Sequence, residues 1–597
     1  MSDTEAGSKS GLIPQDLERP AGEQSGPARY GSDVAAETLR ALDIPFIALN
    51  PGSSYRGLHD SIVNHLGNKR PQMLVCLHEE SAVALAHGWA KVTGRPMAAA
   101  VHSNVGLFHA TMAVFNAWCD RVPLLLLGAT GPVDAPRRRP WIDWIHTAAD
   151  QGAILRNYIK WDAQPASPAA TQEALARAAW LANTAPKAPV YVNFDAGMQE
   201  AALTEPAPPL AVERFRPRPD GGVSAAAIDQ AVALLREARA PLILMGRVSR
   251  STTAWAERLA LAESLHALVA TDLKAGAAFP TEHALHVGQP TTFPGPDLTA
   301  ALAEADVILS LDWVDLGGTL RGCPGGMPEG KVIQVSLDHH LHNGWSMDHQ
   351  TLSPVDLLLE GTPDAVVSDL VRALGMIVPP FQESVTPVTR LPAGTGLISI
   401  GRLAHDLRVA VGEGPVSLLH LPLGWNAADW PFGHPLDHLG GAGGAGLGAG
   451  PGIAVGAALA LRETGRLPVA VLGDGDYLMG ITALWTAAHY RIPLLVVVAN
   501  NRSLYNDEMH QERVARARNR PVENKWIGQR LSDPDIDLAA MGQAQGALGF
   551  GPVTDAAMLP GVLADAVAAV RAGAVAVVDA RVLPGYAPAM AGAFTGG

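Results

Sequence analysis

Gly473-Asp-Gly-Asp-Tyr-Leu-Met-Gly480, followed by Leu494-Leu-Val-Val-Val-Ala-Asn-Asn501, is the stretch that decides the fold. The second piece opens on a continuous apolar run, the pattern of a strand buried on both faces of a parallel sheet. The first piece follows another such run, Leu467-Pro-Val-Ala-Val-Leu472, and its glycines allow a tight turn. The interval from Asp474 to Asn501 accommodates one helix and one parallel strand. Both polar side chains are therefore predicted at the carboxyl edge of one sheet, where open α/β sheets bind ligands. A helix is expected from about Leu478, its N-terminal amides turned towards the loop and suited to a phosphate. Mg²⁺ favours oxygen ligands and shares them with phosphates. The Asp474 carboxylate, the Asn501 amide oxygen and a backbone carbonyl near Ser503 make such a set.

Working outward, the same alternation of apolar β-runs and Ala-rich helical runs fills three segments of the 597 residues. We place a first domain at 28–204, a central domain at 215–376 and a third at 395–585, separated by Pro-rich breaks. The fold class predicted is α/β, with three doubly wound parallel-sheet domains of ordinary domain size. Residues 1–27 are polar and rich in Gly, Ser and Pro, without an apolar signal core; they and 586–597 are expected to be tails, the first of them flexible. Hydrophobic residues make up 48% and charged residues 17%, the balance of a globular chain rather than a disordered one. A net charge of −14 argues against a general nucleic-acid binder. The three cysteines (Cys76, Cys119, Cys323) show no CxxC spacing, which points away from a disulfide framework and towards a reducing, cytoplasmic setting. No apolar run reaches the roughly 18 residues of a membrane span.

Other constellations lie at strand ends. Leu77-His-Glu79-Glu-Ser-Ala82 follows a β-run and opens an Ala-rich helix; a carboxylate there complements the helix dipole in any case. Leu439-Gly-Gly-Ala-Gly-Gly-Ala-Gly-Leu-Gly-Ala-Gly-Pro451 reads either as a linker or as a loop that lets a ligand approach the backbone. Asn50-Pro-Gly-Ser53-Ser54 and His102-Ser-Asn104 also follow β-runs; turn chemistry for the serines and a core role for His102 are the plain alternatives.

The Gly-Asp-Gly turn with its distant Asn-Asn resembles the thiamine diphosphate motif of the acetolactate synthase, pyruvate decarboxylase and benzoylformate decarboxylase superfamily. The resemblance covers about residues 28–585. It implies pyrimidine-binding, central and diphosphate-binding domains in that order, with Mg²⁺ held by Asp474, Asn501 and the Ser503 carbonyl. It implies a cofactor site that also includes Gly473, Gly475, Asp476, Asn426, Ala445, Leu447 and Tyr505. By position Glu79 matches the glutamate that hydrogen-bonds the aminopyrimidine and promotes its imino tautomer. Leu447 is the candidate that bends the cofactor, with the Ala445 carbonyl accepting from the aminopyrimidine. Ser53 and His102 match benzoylformate decarboxylase positions that contact the substrate carboxylate and shuttle protons. Tyr505, Asn506, Glu508 and His510 are candidate substrate contacts. Catalytic roles are thus expected for Glu79, Ser53, His102, Glu508 and His510.

The chain departs from the family pattern twice. Asp476 stands where a small residue or Ser is common, and a second carboxylate beside a diphosphate must cap a helix or face away. A second histidine, expected from the central domain, has no counterpart. The implied activity is lyase, decarboxylase or carboligase chemistry on a 2-oxo acid or related ketone. 2-Hydroxyacyl-CoA lyase and cyclic 1,2-diketone hydrolase remain alternatives, as does a non-catalytic, cofactor-binding regulatory protein. Met245-Gly-Arg247-Val-Ser249 and Lys274-Ala-Gly276 occupy the region that holds FAD in acetolactate synthases and ADP-like groups in acyl-CoA relatives; here a vestigial domain and a FAD or ADP/CoA site are both open. The basic run Arg513, Arg516, Arg518, Arg520 and Lys525 is either a solvated helix face or a phosphate contact. Trp141 and Trp144 are expected to pack in a core rather than to wall a cyclic substrate. The resemblance also implies a homodimer or homotetramer with the active site at a subunit interface.

Overall fold

The protein was described from a computed structural model covering residues 17–22, 26–207, 209–215, 222–341, 352–388, 391–392 and 394–585. The expected C-terminal tail, and the N-terminal tail up to residue 16 and at 23–25, lie outside the described residues.

The apolar runs form three wholly parallel sheets, as the continuous patterning predicts. The first contains β1 (Phe46–Leu49), β2 (Gln72–Val75), β3 (Ala98–Val101), β4 (Leu124–Thr130), β5 (Asp162–Ala163) and β6 (Pro189–Asp195), in the order β2-β1-β3-β4-β6-β5. The second contains β7 (Pro241–Met245), β8 (Leu268–Thr271), β9 (Val307–Leu311), β10 (Lys331–Val335) and β11 (Leu357–Leu359), in the order β11-β10-β9-β7-β8. The third contains β12 (Val416–His420), β13 (Leu467–Gly473), β14 (Leu494–Asn500), β15 (Leu548–Val553) and β16 (Val575–Arg581), in the order β12-β13-β14-β16-β15. Every residue of β14 is buried, which explains its unbroken apolar run up to Asn500.

The first and third domains share one core. The helix Glu79–Thr93 lies against the helix Ala449–Leu461 with almost no side-chain layer between them. A Cβ at Gly88 would land on the Ile453 carbonyl oxygen, and one at Gly456 on that of Leu85. These glycines sit in helix interiors, where each costs about 1 kcal/mol against alanine; the close approach they permit explains their presence. Leu85, Trp89, Ile453, Val455 and Leu472 belong to one buried cluster that crosses the domain boundary. Leu17 packs on that cluster, and Glu18 accepts from the Tyr490 hydroxyl at 2.9 Å. The expectation of a flexible tail therefore fails at these two residues, because the chain there docks against the third domain. Arg250 of the central domain donates to the carbonyls of Ala275 and Ala277 in its own domain and of Leu439 and Pro435 in the third. No helix among the described residues is long and apolar enough to cross a membrane.

Candidate active site

The third sheet builds the first half of the site. In the β13–β14 register Gly473 pairs with Ala499, so Asp474 and Asn501 project just beyond the paired edge. The helix begins at Asp474 (Asp474–Gly480), four residues earlier than expected, because Asp474 takes the first helical position directly after the strand. Its carboxylate accepts from the Gly475 N–H at 2.8 Å and from the Ser503 N–H at 3.2 Å. The Asn501 amide oxygen accepts from the same Ser503 N–H at 2.9 Å. Asp474 is buried, and burial pushes its carboxyl above the usual carboxylate range. Its hydrogen-bond partners among the described residues are backbone amides, with no Lys or Arg paired to it. A buried carboxylate of this kind, converging with an amide oxygen, suits a hard divalent cation, whose charge would reverse the upward shift. The donor chemistry therefore fits Mg²⁺.

Asp476 turns away from that edge. It accepts from the Gly448 N–H at 2.7 Å and the Gly450 N–H at 3.2 Å, the first free amides of the helix Ala449–Leu461. The helix leaves these donors without intrahelical partners, and a buried carboxylate satisfies them and the dipole together. The departure at Asp476 is thus a helix cap supplied from another element. The glycine segment is an ordered loop packed on the first domain. Gly444 N–H donates to Asn116 Oδ1 at 3.1 Å, and the Gly441 carbonyl accepts from Lys91 Nζ at 2.7 Å. Lys91 is itself paired with Asp120, which also meets His87. Ala445 and Leu447 face outward, and Leu447 Cδ1 lies 3.8 Å from where a Gly475 Cβ would stand. Asn426 accepts from the Ala428 N–H at 3.2 Å in the loop after β12.

Beyond Asn501, the buried Glu508 accepts from Ser503 Oγ at 2.5 Å, so it braces the loop that follows β14. Tyr505 and Asn506 are half-buried, and His510 is exposed on the same helix, Tyr505–Ala517. Arg513, Arg516, Arg518 and Arg520 are exposed and Lys525 half-buried, the solvated-face alternative of the sequence reading; Glu512 pairs with both Arg516 and Lys525. In the central domain, Arg247 pairs with Asp312 and Asp338, and Lys274 with Asp272, so the basic residues of the two segments singled out there already hold carboxylates.

The first sheet builds the second half. Glu79 is the first residue of its helix and buried; its Oε2 lies 3.2 Å from His109 Nδ1. His78 caps the helix, accepting from the Glu80 N–H at 3.1 Å, and stacks on His109 with ring centroids 5.1 Å apart. His102 Nδ1 lies 2.8 Å from Ser54 Oγ and 3.4 Å from the Ser54 N–H. The backbone amide can only donate, so Nδ1 accepts and the neutral ring carries its proton on Nε2. Burial, reinforced by the neighbouring His146, holds His102 below the ordinary histidine value. Ser53, by contrast, is exposed and uses only its carbonyl, towards Arg56 at 2.9 Å.

A strap from Gly131 to Thr147 closes this edge. It is pinned by the buried Asp143, which accepts from Arg139, and by bonds from Ser103 Oγ and Asn104 Nδ2 to the His146 and Ile145 carbonyls. His146 meets His102 edge-on at 4.7 Å. The expectation that Trp141 and Trp144 pack in a core is overturned: they are 69% and 77% exposed, because the pinned strap holds them out over the surface. Three non-glycine residues with positive φ, Ser103 (55°), Ala445 (56°) and Arg502 (58°), mark three of these site segments; such strain collects at functional sites.

Sequence reading singled out Ser53 rather than its neighbour Ser54, and gave no role to His109 or His146. His109 stands two helical turns after His102, a spacing that puts both on one face. Nothing local marks His146, since the strap's path depends on tertiary contacts.

Parallel sheets with a metal-type edge on one domain and a buried glutamate on another define the class of thiamine diphosphate-binding α/β enzymes. Family models described as the N-terminal TPP binding domain, the central domain and the C-terminal TPP binding domain of thiamine pyrophosphate enzymes match residues 29–154, 228–350 and 423–580. The chain belongs to this family of thiamine diphosphate-dependent enzymes, which includes decarboxylases and acetolactate synthases. A benzoylformate decarboxylase of Pseudomonas aeruginosa is 27% identical, over 78% of this chain and 84% of that protein. The acetolactate synthase isozyme 1 large subunit of Escherichia coli is 23% identical, over 79% and 82%. Among solved structures, benzoylformate decarboxylase from Polynucleobacter necessarius superposes with a TM-score of 0.75 at 19% identity, covering 94% of this chain and all of that one. A thiamine diphosphate-dependent 4-hydroxybenzoylformate decarboxylase from Rhodococcus jostii gives 0.72 at 22%, covering 94% and 99%.

Proposed function

We propose that this enzyme uses thiamine diphosphate and Mg²⁺ to cleave or form a carbon–carbon bond next to the carbonyl of a 2-oxo acid. The observation that carries the reading is the buried Asp474 carboxylate, paired with no basic side chain among the described residues and converging with Asn501 and Ser503 on one sheet edge. Asp474, the Asn501 amide oxygen and the Ser503 carbonyl would hold Mg²⁺. When bound, the cofactor supplies the electron sink for the bond adjacent to the carbonyl. Leu447 and the Ala445 carbonyl, both on the exposed side of the glycine loop, would contact the cofactor. Glu79 holds the proton shared with the aminopyrimidine, its carboxylate oriented by His109. His102, with Nδ1 fixed by Ser54, presents its Nε2 proton to the substrate side, and Ser53 offers a hydroxyl at the mouth.

The partners of Glu79 come from the first domain and those of Asp474 from the third. Exposed apolar groups flank each half: Leu77, Val105 and Phe108 beside Glu79, Leu447 and Met479 beside Asp474. Exposed apolar clusters of this kind mark interaction surfaces. We read the chain as a homodimer or a dimer of dimers in which each site joins Glu79 of one copy to Asp474 of another. A cyclic 1,2-diketone is the second reading, favoured by the exposed Trp141 and Trp144 on the strap that touches His102.

The test is assay of the purified protein for thiamine diphosphate, followed by turnover of 2-oxo acids, cyclic diketones and 2-hydroxyacyl-CoAs. Glu79→Ala is expected to abolish exchange of the C2 proton of the bound cofactor. Exchange at the wild-type rate in that variant sinks the assignment; cofactor binding without turnover of any class favours a regulatory protein.

A further inference from the structure

The central domain carries a cluster of ligating groups that the chemistry above does not use. The turn Asp338–His340 follows β10, and Glu360 follows β11, its parallel neighbour in the sheet. His339 Nε2 lies 3.0 Å and His340 Nε2 3.5 Å from the same Glu360 oxygen, Oε1. The three ligand atoms all fall within 4.8 Å of one another. Two imidazoles converging on one carboxylate oxygen gain little as an exposed ion pair, worth at most about 1 kcal/mol.

The same separations, one of them that of an ordinary hydrogen bond, are also compatible with metal geometry. A tetrahedral ion with bonds of about 2.0–2.1 Å has ligand–ligand edges of about 3.3 Å. The two N···O distances bracket that edge, and the third edge, between the two imidazole nitrogens, is within 4.8 Å. The backbone beneath is fixed. Asp338, the residue before His339, pairs with Arg121 of the first domain and Arg247 of the central one. Its own N–H donates to Ser336 Oγ at 3.0 Å, and Leu341, just after the histidines, packs with Trp118 and Ala188 of the first domain. The ligands therefore stand on a turn already held between two domains and on the adjacent strand end.

We propose that His339, His340 and Glu360 form a binding site for a divalent transition-metal ion of the zinc type, with solvent in the fourth position. Two imidazoles and one carboxylate suit such an ion better than Mg²⁺, which prefers oxygen ligands. Binding would tie the end of β10 to β11 and stiffen the junction with the first domain.

The probe is Zn²⁺ itself, added by calorimetry to the full chain after EDTA treatment and return to buffer containing Mg²⁺ and thiamine diphosphate. One site per chain is expected, weakened more than about tenfold in both His339→Ala and Glu360→Gln. Its occupancy should raise the thermal midpoint of the wild type and leave those of the variants unchanged. Both side chains are exposed, so the substitutions leave folding intact. Two sites of which these substitutions remove one would also support the proposal. Failure of Zn²⁺ to bind would overturn it. So would binding that survives both substitutions, as it would if His78, Glu79 and His109 took the ion.

Discussion

Removal of the Asp476 carboxylate isolates the cap that distinguishes this chain. Asp476→Ala deprives the Gly448 and Gly450 amides of their acceptor. Hydrogen bonds to a charged group contribute about 1.5–3 kcal/mol each, but Asp476 is also buried beside Glu80, whose carboxyl is pushed up by burial and by Asp476 itself. That repulsion is relieved in the variant. Helix caps lost to alanine cost about 0.5–2 kcal/mol, so the net loss is set at about 2 kcal/mol, or about 4–8 °C in the midpoint of a domain of this size. The sharper test couples it to Gly450. A Cβ there would overlap Asp476 Oδ2 and stand 2.9 Å from its Cγ. Gly450→Ala should therefore destabilise the wild type through overpacking, by about 1–3 kcal/mol. In the Asp476→Ala background the two nearest obstacles are gone and the next is the end of the Leu472 side chain at 3.0 Å, while alanine in a helix outdoes glycine by about 1 kcal/mol. The sign of Gly450→Ala should reverse. Thermal and urea unfolding followed by tryptophan fluorescence on the four proteins measures the cycle. Additive effects of the two substitutions would refute the cap.

The remaining predictions concern pH, the substrate side and the loop contact. Asp120 is held down to about 2 against a usual 3.8; burial raises its carboxyl, but Lys91 and His87 beside it outweigh that. A depressed carboxyl stabilises the fold above its unfolded value and loses that contribution as pH falls through the folded one. Stability should decline between about pH 4 and pH 2, by at most about 2 kcal/mol from this group, in acid unfolding by circular dichroism; Asp120→Asn should flatten that window. Burial pushes Lys91 below its usual value despite Asp120, so the pair's net worth is smaller than the carboxyl alone suggests. Ser54→Ala should lower kcat about tenfold, or about 1.4 kcal/mol, by freeing the His102 ring, whereas Ser53→Ala should act chiefly on KM. Equal effects of the two on kcat would contradict the role given to the Ser54 hydroxyl. Lys91→Met should weaken thiamine diphosphate affinity more than it lowers kcat, since it releases the Gly441 carbonyl and loosens the loop bearing Leu447; unchanged affinity by calorimetry would count against that loop contact.

Much of the fold was legible because its strands are buried on both faces. Runs such as Leu494–Ala499 read as buried parallel strands, and the pattern of the glycine turn with Asn-Asn puts Asp474 and Asn501 at one sheet edge, where the structure has them. The position of Glu79 at a helix start was likewise legible, and the structure has it as the first, buried residue of that helix. What escaped were features that depend on distant pieces of chain. Asp476 reads as an intruder beside a diphosphate until the helix from Ala449 is seen arriving above it. Ser53 and Ser54 are indistinguishable in a turn; only the path of the chain buries the second against His102. Trp141 and Trp144 look like core residues because their apolar surface is visible in the sequence, while the pinned strap that exposes them is not. Glu18 likewise lies in a stretch with the composition of a tail, and its docking depends on Tyr490 and Asn68 far along the chain.

The central claim is that Asp474 and Glu79 serve one site from two copies of the chain. It is tested most directly by mixing two inactive variants, Glu79→Gln and Asp474→Asn, through co-expression or reversible dissociation. If each site joins two copies, a mixed dimer holds one intact site and one doubly impaired site. A statistical mixture should then recover about one quarter of the wild-type activity. Activity no higher than that of the separate variants, despite demonstrated exchange of subunits, would place both residues in a site within one chain and contradict the account.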